Sequence, residues 1–184
     1  MDINKFNLKA PEEKSTYGDY SYFVYGLVRQ YEPKITLEVG LGPYANSSCA
    51  IIQALYENSL NGPTGHHYIV ELEPTDEAKQ KLSNLPQNLY TLRVGDSKDV
   101  NKYCNLKNQI DILFVDGNHT TEYCYSDTML PIMTNNVNME NGIIVFHDAQ
   151  MSTVRQAIIM LKKQLKLKTF FLPKISVCIA KFDY

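Results

Sequence analysis

Short apolar runs alternate along the chain with longer segments in which apolar residues recur at helical spacing. The β-type runs are Ile35 to Val39, His67 to Glu71, Leu89 to Val94, Ile110 to Val115 and Ile143 to Phe146. The first helical segment between them begins near Asn46. The later ones cover Asp76 to Leu82, Glu122 to about Asn136 (with Pro131 as a kink or break) and Ser152 to Leu165. Strands that alternate with helices predict an α/β domain built on a parallel, doubly wound sheet.

The last two β-type runs differ from the others because almost nothing separates them. Thr169 to Leu172 and Ser176 to Phe182 are joined only by residues 173–175, which include Pro173. A parallel crossover needs a dozen or more residues, whereas antiparallel strands can be joined by a tight turn. The sequence therefore predicts an antiparallel hairpin at the C-terminal end of the sheet.

The N-terminal part divides into a polar lead-in and an aromatic helix. Residues 1–14 are polar and charged, and we expect a flexible arm there, followed by one domain over residues 15–184. A helix rich in tyrosine is predicted from about Tyr17 to Val28, ending before Pro33. We expect this helix to pack on the sheet. Alternatively, its tyrosines cover a ligand pocket or form the contact of a homodimer.

Composition excludes several classes of partner. A net charge of −2 gives no basic face, so nucleic acid is not expected as a partner. No apolar run approaches the length of a membrane span, and the N-terminus lacks the apolar segment of a signal peptide. The four cysteines are scattered without a Cys-x-x-Cys pair, which is typical of reduced thiols in a cytoplasmic protein.

The chain is organised around one stretch, residues 35–48, in which an apolar strand ends in a glycine turn and a helix follows. Glu38 stands two residues before Gly40, and Gly42 completes a Glu-x-Gly-x-Gly pattern. Glycines allow a ligand to approach the backbone, and a helix N-terminus offers N–H groups to an anion. The pattern fits the dinucleotide fingerprint poorly, because its third glycine is replaced by Ala45.

Acidic residues recur at the C-terminal ends of successive strands, where an open parallel sheet binds its ligands. These residues are Glu38, Glu71, Asp96, Asp116 and Asp148. Glu71 is placed to accept hydrogen bonds from two ribose hydroxyls. Asp96 and Ser97 could meet an adenine ring, or they could cap the next helix.

Asp116 and Asp148 end the two most apolar strands, so their carboxylates are expected to lie side by side. Two such charges repel, and a divalent cation of the Mg²⁺ type would compensate them. His147 could join as a third ligand, which would favour a softer metal. His119 lies three residues beyond Asp116, within reach of whatever that carboxylate holds.

Four segments together resemble the class I S-adenosylmethionine (SAM) methyltransferases. They are Leu37-Glu-Val-Gly-Leu-Gly42, Ile69-Val-Glu-Leu-Glu-Pro74, Phe114-Val-Asp-Gly-Asn-His119 and Ile144-Val-Phe-His-Asp148. Within that class the chain is similar to small O-methyltransferases related to sugar O-methyltransferases of antibiotic pathways, and more distantly to catechol O-methyltransferase. The resemblance covers about residues 16–184. It implies a Rossmann-like, seven-stranded sheet with the last strand antiparallel, SAM as cofactor, and a hydroxyl of a small molecule as methyl acceptor.

The resemblance also assigns roles to individual residues. It implies that Glu38, Gly40 and Gly42 hold the methionine end of SAM, that Glu71 binds the ribose, and that Asp96 and Ser97 bind the adenine. Asp116 and Asp148 match metal ligands, with His147 beside them. The resemblance also implies that Asp116 borders the cofactor and takes part in catalysis. His119 falls where catechol-type enzymes keep a lysine general base.

Two departures leave other functions open. Tyr44 stands where a third glycine is common, after the stiffening Pro43, so it could weaken cofactor binding or lie over the ligand. Ala149 replaces an asparagine metal ligand of catechol-type enzymes, so the metal shell could be incomplete. A protein of this fold that binds ligands without catalysis is therefore one alternative. An NAD-dependent oxidoreductase on a related fold is another, but its ribose acid would follow the glycine turn by about 20 residues, and Glu71 lies much further on. A methyltransferase that acts on nucleic acid is disfavoured by the acidic balance.

Overall fold

A computed structural model of the chain describes residues 17–106, 108–134 and 136–183, so the predicted arm over residues 1–14 lies outside the described part. The strands are β1 (Ile35–Val39), β2 (His66–Glu71), β3 (Tyr90–Val94), β4 (Ile112–Val115), β5 (Ile143–Phe146), β6 (Leu167–Leu172) and β7 (Val177–Phe182). The α-helices in these ranges are α1 (Tyr17–Tyr31), α2 (Asn46–Ser59), α3 (Asp76–Ser83), α4 (Thr121–Met133) and α5 (Ser152–Leu165).

The seven strands form one sheet in the order β3-β2-β1-β4-β5-β7-β6. Strands β1 to β5 are parallel, and their ends are in register, with Val39 beside both Val70 and Val115, and Val115 beside Phe146. Strand β7 runs antiparallel to both β5 and β6. The predicted doubly wound sheet and C-terminal hairpin are both confirmed, and the parallel register places the strand ends at one edge.

The central strands β1, β4 and β5 are buried along their whole length because helices cover both faces of the sheet. On one face, Phe114 and Val145 pack against α1 and α2. On the other face, Leu113 and Ile144 pack against α4 and α5. Burial on both faces explains why these strands are continuous apolar runs rather than alternating ones.

The connection between β3 and β4 departs from the predicted alternation of strands and helices. Instead of an α-helix it contains one 3₁₀ turn, Val100–Tyr103, whose first N–H groups are capped by Asp99. Asp96 therefore does not cap a helix here. Ile110, predicted as the start of a strand, lies outside β4 and forms an isolated parallel bridge with Val137.

Two predicted features of α4 are also adjusted. Pro131 lies inside the helix, which ends at Met133 rather than near Asn136. The Thr134 N–H still donates to the Leu130 carbonyl, four residues back, but the Asn136 N–H donates to the Pro131 carbonyl, five residues back, so the α-helical hydrogen bonding ends there. No helix within the described ranges combines the length and the apolar character that crossing a bilayer would require.

Candidate active site

A cavity of about 400 Å³ opens at the C-terminal ends of the parallel strands, where the topology predicts a ligand. Its volume lies in the usual range of small-molecule sites. The lining residues are Val39, Gly40, Gly42, Pro43, Val70, Glu71, Leu72, Asp96, Ser97, Asp116, Gly117, Asn118, His119, Tyr123, His147 and Asp148. Every site residue predicted from the sequence is in this set except Glu38.

The turn after β1 needs glycine at two positions for different reasons. Gly40 has a φ of 93°, and a Cβ atom there would lie 2.2 Å from the backbone oxygen of Asp116. Gly40 therefore allows β1 and β4 to end in close contact. Gly42 has a φ of 63°, but a Cβ atom at this position would meet nothing within 4 Å. Gly42 thus presents bare backbone to open space at the cavity, as a ligand-binding turn requires.

Helix α2 begins at Asn46, directly after this turn. Its N-cap is Ala45, in a left-handed conformation with a φ of 50°, and no side chain caps the first turn. The cap-type residues Asn46 and Ser48 lie inside the helix instead. The Ser48 hydroxyl donates a hydrogen bond to the Glu38 carboxylate, so it links α2 to β1 and does not cap the helix.

Glu38 lies beneath the turn, fully buried within a polar network. Its Oε2 accepts a hydrogen bond from Ser48 and lies 3.3 Å from Nε2 of His67, whose Nδ1 is 2.8 Å from Oγ1 of Thr36. This network ties β1, β2 and α2 together under the glycines. The Glu38 Oε1 atom has no hydrogen-bond partner in the described part of the chain. The assignment of Glu38 to cofactor binding stays a prediction.

Glu71 faces the cavity at the end of β2 and is oriented by backbone groups. Its Oε2 accepts a hydrogen bond from the Leu41 N–H at 2.7 Å, and its Oε1 accepts one from the Glu73 N–H at 3.1 Å. An ionised carboxylate has about four acceptor positions. Two therefore stay open, which suits the predicted contact with two vicinal hydroxyls.

Asp96 and Ser97 form the next part of the wall, together with Tyr123, which sequence reasoning missed. Asp96 Oδ1 accepts a hydrogen bond from the Lys98 N–H at 2.9 Å, and the Tyr123 hydroxyl lies 3.5 Å from Asp96 Oδ2. The Lys98 ammonium lies 3.9 Å from the centre of the Tyr123 ring. Tyr123 could have been predicted from the sequence, because it is an aromatic residue in the first turn of α4, and this turn borders the same crevice.

Two aspartates and two histidines meet at the end of the cavity beside β4 and β5. His147 Nδ1 is 2.9 Å from Asp116 Oδ1 and 3.4 Å from Asp148 Oδ2. His119 Nε2 is 3.2 Å from Asp148 Oδ2 and 3.7 Å from Asp116 Oδ1. The sequence predicted the two carboxylates side by side with both histidines near them, and in the structure each histidine lies within 4 Å of both carboxylates.

The cluster supplies its own counter-charge. Contacts with Asp116 and Asp148 raise the pKa of His119 to about 9, against the opposing effect of burial. Burial also opposes protonation of His147, yet the same two carboxylates raise its pKa to about 10. His119 and His147 in turn hold the pKa of Asp148 well below its usual range. Two imidazolium groups therefore balance two carboxylates, so the repulsion argued from the sequence does not by itself require a metal.

The described residues nevertheless contain one group that fits a divalent cation. One ligand atom each from Asp116, His119 and Asp148 lie within 4.8 Å of one another. This group contains His119, and the sequence-based assignment of His147 as the third ligand stays a prediction. His147 lies deeper, with its Nδ1 directed at Asp116. Two carboxylates and one imidazole suit Mn²⁺ or Fe²⁺ as well as Mg²⁺.

The backbone at Asp148 is adapted to this cluster. Asp148 has a φ of 49°, a left-handed conformation that aspartate tolerates better than most residues. The chain reverses there, and the Met151 N–H closes the turn by donating to the Asp148 carbonyl. Strained backbone of this kind is typical of functional sites.

Helix α1 packs over the site through Tyr20. The Tyr20 ring stacks on His147 with 4.0 Å between centroids, and its buried hydroxyl has no hydrogen-bond partner among the described residues. Burial, with smaller contributions from Asp116, Glu38 and Asp148, raises the pKa of this phenol. The helix packs on the sheet as expected, and this tyrosine also covers part of the acid–histidine cluster.

Asp127 is a second buried acid that the sequence reasoning missed. It is fully buried on α4, neither carboxylate oxygen has a hydrogen-bond partner in the described part, and Oδ2 lies close to Gly117. Burial raises the pKa of Asp127 to about 7, although Ser97 lowers it in part. The signal was present in the sequence, because Asp127 falls on the helix stripe of Cys124 and Thr128, which is otherwise uncharged.

Tyr44 and Ala149, the two residues that depart from the methyltransferase pattern, differ in their burial. Tyr44 does not line the cavity; it is partly exposed, and the Lys81 ammonium lies 5.3 Å from the centre of its ring. Ala149 is buried, and its N–H donates to the carbonyl of Ser176. Ala149 thus fixes the segment after Asp148 to the start of β7 and offers no side-chain ligand.

Comparison with protein families identifies the family of the chain. Residues 37–149, more than half of the chain, match the family described as "Methyltransferase domain". The chain belongs to this methyltransferase family. The match spans the glycine turn and all four of the strand-end acids that line the cavity, so the family membership expected from the sequence is confirmed. A comparison with the curated proteins finds no match.

Solved structures of methyltransferases share the fold at low sequence identity. A methyltransferase from Podospora anserina with SAH bound has a TM-score of 0.70 and 13% identity, covering 98% of this chain and 93% of that one. The O-methyltransferase of tomaymycin synthesis from Streptomyces achromogenes, in complex with SAM, has a TM-score of 0.66 and 13% identity, with 98% and 95% coverage. A TDP-rhamnose 3'-O-methyltransferase of calicheamicin biosynthesis has a TM-score of 0.73 and 13% identity, with 99% and 85% coverage.

Proposed function

We propose that this methyltransferase uses SAM to methylate a hydroxyl group of a small molecule. The observation that carries the proposal is the single cavity edge that runs from the glycine turn, past Glu71, to the cluster of His119 and Asp148. One end of this edge has the features of a nucleotide site. The other end has the acidic and basic groups needed to handle a hydroxyl proton.

The cavity residues fit the cofactor. Gly42 leaves open space where a side chain would otherwise stand, and Glu71 keeps acceptor positions for ribose hydroxyls. Asp96 and Tyr123 border the region where the adenine would lie. When bound, SAM supplies an electrophilic methyl group on a sulfonium. The role of this chain is then to align the acceptor with that methyl group, which can supply several kcal/mol of the rate enhancement.

His119 is the candidate for moving the acceptor proton, which it can accept only in its neutral form, because Asp116 and Asp148 raise its pKa to about 9. It lines the cavity, and its Nε2 lies 3.2 Å from Asp148 Oδ2 and 3.7 Å from Asp116 Oδ1. A divalent cation held by Asp116, Asp148 and His119 is the alternative, and it would lower the pKa of a hydroxyl without a protein base. The two arrangements cannot operate together, because the same nitrogen of His119 cannot bind a metal ion and accept a proton.

The names of structural relatives support the acceptor class. Two of them are O-methyltransferases of natural-product synthesis, one from the tomaymycin pathway and one that acts on TDP-rhamnose. We infer by analogy that the acceptor of this chain is also a small hydroxylated molecule. The four cysteines are unpaired, which supports a reducing compartment such as the cytoplasm.

Calorimetry with S-adenosylhomocysteine tests the cofactor assignment directly. We expect one binding site, weakened in Glu71→Ala by about 1.5–3 kcal/mol, the range for a hydrogen bond to a charged group. Glu73→Ala is the matched control, because Glu73 is exposed and does not line the cavity. Binding of NAD without binding of S-adenosylhomocysteine would reject the proposal. Cofactor binding without turnover of any hydroxylated substrate would favour a non-catalytic ligand-binding protein.

We further propose that the outer surface of α1 can form a homodimer contact. Tyr22 is 55% exposed on this helix, and Tyr31 is also exposed. Exposed aromatic side chains are enriched in protein interfaces. Light scattering of the wild type and of Tyr22→Glu tests this contact, and a wild-type protein that stays monomeric at high concentration would exclude it.

A further inference from the structure

A second cavity, of about 450 Å³, lies between α5 and the edge of the sheet formed by β6, outside the cofactor cavity. We call it the α5–β6 groove. Its lining residues are Ala149, Gln150, Arg155, Ile158, Ile159, Lys162, Thr169, Phe171, Pro173, Ser176 and Val177. Its volume is sufficient for a small organic molecule.

The groove combines apolar walls with positive charge. Ile158, Ile159 and Phe171 are among its apolar lining residues, whereas Arg155 and Lys162 are its only charged ones. Neither cation forms an ion pair within the described ranges. The Arg155 guanidinium lies 6.0 Å from the centre of the Phe171 ring. A ligand with an apolar body and one anionic group would complement this lining.

One buried polar group at the end of the groove independently indicates a ligand. Ser176 is 4% exposed and lines the groove, and its Oγ has no hydrogen-bond partner among the described residues. Ser176 has a φ of 59°, so the backbone holds this hydroxyl in place at the cost of a left-handed conformation. Because an unpaired buried hydroxyl costs free energy, a polar group of a ligand would stabilise it.

The same end of the groove adjoins the acid–histidine cluster. The Ala149 N–H donates to the carbonyl of Ser176 at 2.8 Å, and Ala149 directly follows Asp148 in the chain. Consecutive Cα atoms are only about 3.8 Å apart. Along the chain the groove therefore begins one residue after Asp148, although the two cavities share no lining residue.

We propose that the α5–β6 groove holds the body of the methyl acceptor, an apolar molecule whose anionic group binds Arg155 and Lys162. The acceptor hydroxyl would then lie at the Asp148 end, near His119. This inference rests on the proposed function and adds the class of substrate to it. A carboxylate, sulfonate or phosphate could supply the anionic group, whereas a neutral molecule of the same shape could not.

Binding to the groove can be measured without knowing the natural acceptor. The probe is 1-anilinonaphthalene-8-sulfonate, an apolar fluorescent anion, titrated into the full chain. Lys162→Gln should weaken its binding by about 3- to 10-fold, the loss of one charge-assisted contact. Lys163→Gln is the matched control on the same helix, since Lys163 is exposed and does not line the groove. The neutral probe N-phenyl-1-naphthylamine should bind both variants alike.

Turnover links the groove to the acceptor. With 3,4-dihydroxybenzoate and its neutral analogue catechol as acceptors, Lys162→Gln should raise the KM for the anion and leave its kcat nearly unchanged. The KM for catechol should not change, and Lys163→Gln should affect neither substrate.

The outcomes separate this inference from the proposed function. Equal effects of Lys162→Gln and Lys163→Gln on the anionic probe would overturn the groove as an anion site. Binding of S-adenosylhomocysteine and methyl transfer without any dependence on Lys162 would leave the proposed function intact and reject this inference. If S-adenosylhomocysteine does not bind, the proposed function is rejected, and the assignment of the groove to a methyl acceptor is rejected with it.

Discussion

The ring of Tyr20 stacks on the imidazole of His147, with 4.0 Å between their centroids and an interplanar angle of 29°. This contact joins the first described helix to the end of β5, which is more than 120 positions later in the chain. It also closes one side of the acid–histidine cluster. The integrity of the site therefore depends on the packing of α1.

Two substitutions at Tyr20 separate its ring from its hydroxyl. Tyr20→Phe should keep the stack and change the free energy of unfolding by less than about 1 kcal/mol, because the buried hydroxyl has no partner to lose. Tyr20→Ala should cost about 3–5 kcal/mol, the usual cost of removing a buried aromatic ring. Urea unfolding of both variants measures the difference, and a similar large loss in both would mean that the hydroxyl is hydrogen-bonded.

The two glycines of the turn after β1 should respond differently to alanine. Gly40→Ala places a Cβ atom 2.2 Å from the Asp116 carbonyl oxygen, so β1 and β4 must separate and both stability and cofactor affinity should fall sharply. Gly42→Ala meets no atom and should cost only about 1–2 kcal/mol for its left-handed backbone. Thermal unfolding with and without S-adenosylhomocysteine tests this order. A larger loss of stability in Gly42→Ala would contradict it.

The sequence predicted the sheet well because its signals are local. Buried strands such as Ile143–Phe146 are continuous apolar runs, and the four residues between β6 and β7 permit only an antiparallel turn. The strand-end acids followed from the topology, since parallel strands bring their C-terminal ends together. The contact between β1 and β4 behind Gly40 was not predictable, because it joins residues far apart in sequence.

The missed residues were those whose role depends on tertiary contacts. Glu38 is not one of them: its carboxylate lies beneath the turn in contact with Ser48 and His67, and its contact with the cofactor stays a prediction. Tyr20 gave no sequence signal that separated it from the neighbouring tyrosines. Asp127 did give one, as a charged residue on the buried stripe of a helix.

The buried carboxyl of Asp127 should make stability fall as the pH rises. Its pKa is raised from 3.8 to about 7, so the folded state binds the proton more tightly than the unfolded state does. Unfolding then releases a proton between about pH 4 and pH 7, and the free energy of unfolding decreases across that window. Asp127→Asn should remove this loss and be more stable than the wild type at pH 8, with little difference near pH 4.

Urea unfolding at pH 4.5 and pH 8 measures the effect for Asp127→Asn. Asp76→Asn is the control, because the side chain of Asp76 is fully exposed and its removal should leave the pH dependence unchanged. A loss of stability in Asp127→Asn that is equal at both pH values would refute the prediction. That result would mean that the ionised carboxylate accepts hydrogen bonds in the folded protein.

The role of the acid–histidine cluster can be decided by removing metal and by substituting its members separately. If a cation held by Asp116, His119 and Asp148 activates the acceptor, exhaustive chelation should abolish methyl transfer and Mg²⁺ or Mn²⁺ should restore it. Asp148→Ala should then abolish turnover and leave the affinity for S-adenosylhomocysteine nearly intact. The reason is that Asp148 lies at the end of the cavity away from Glu71, the predicted ribose contact.

If His119 moves the proton without a metal, chelation should have no effect, and His119→Ala should lower kcat by roughly 10²–10⁴-fold, the usual contribution of a general base. Asn118→Ala is the matched control, because Asn118 lines the same cavity beside His119 but has no acid–base group. Full activity of His119→Ala in the presence of chelator would exclude both arrangements. Alignment of the acceptor with the methyl group would then be the main contribution of this site.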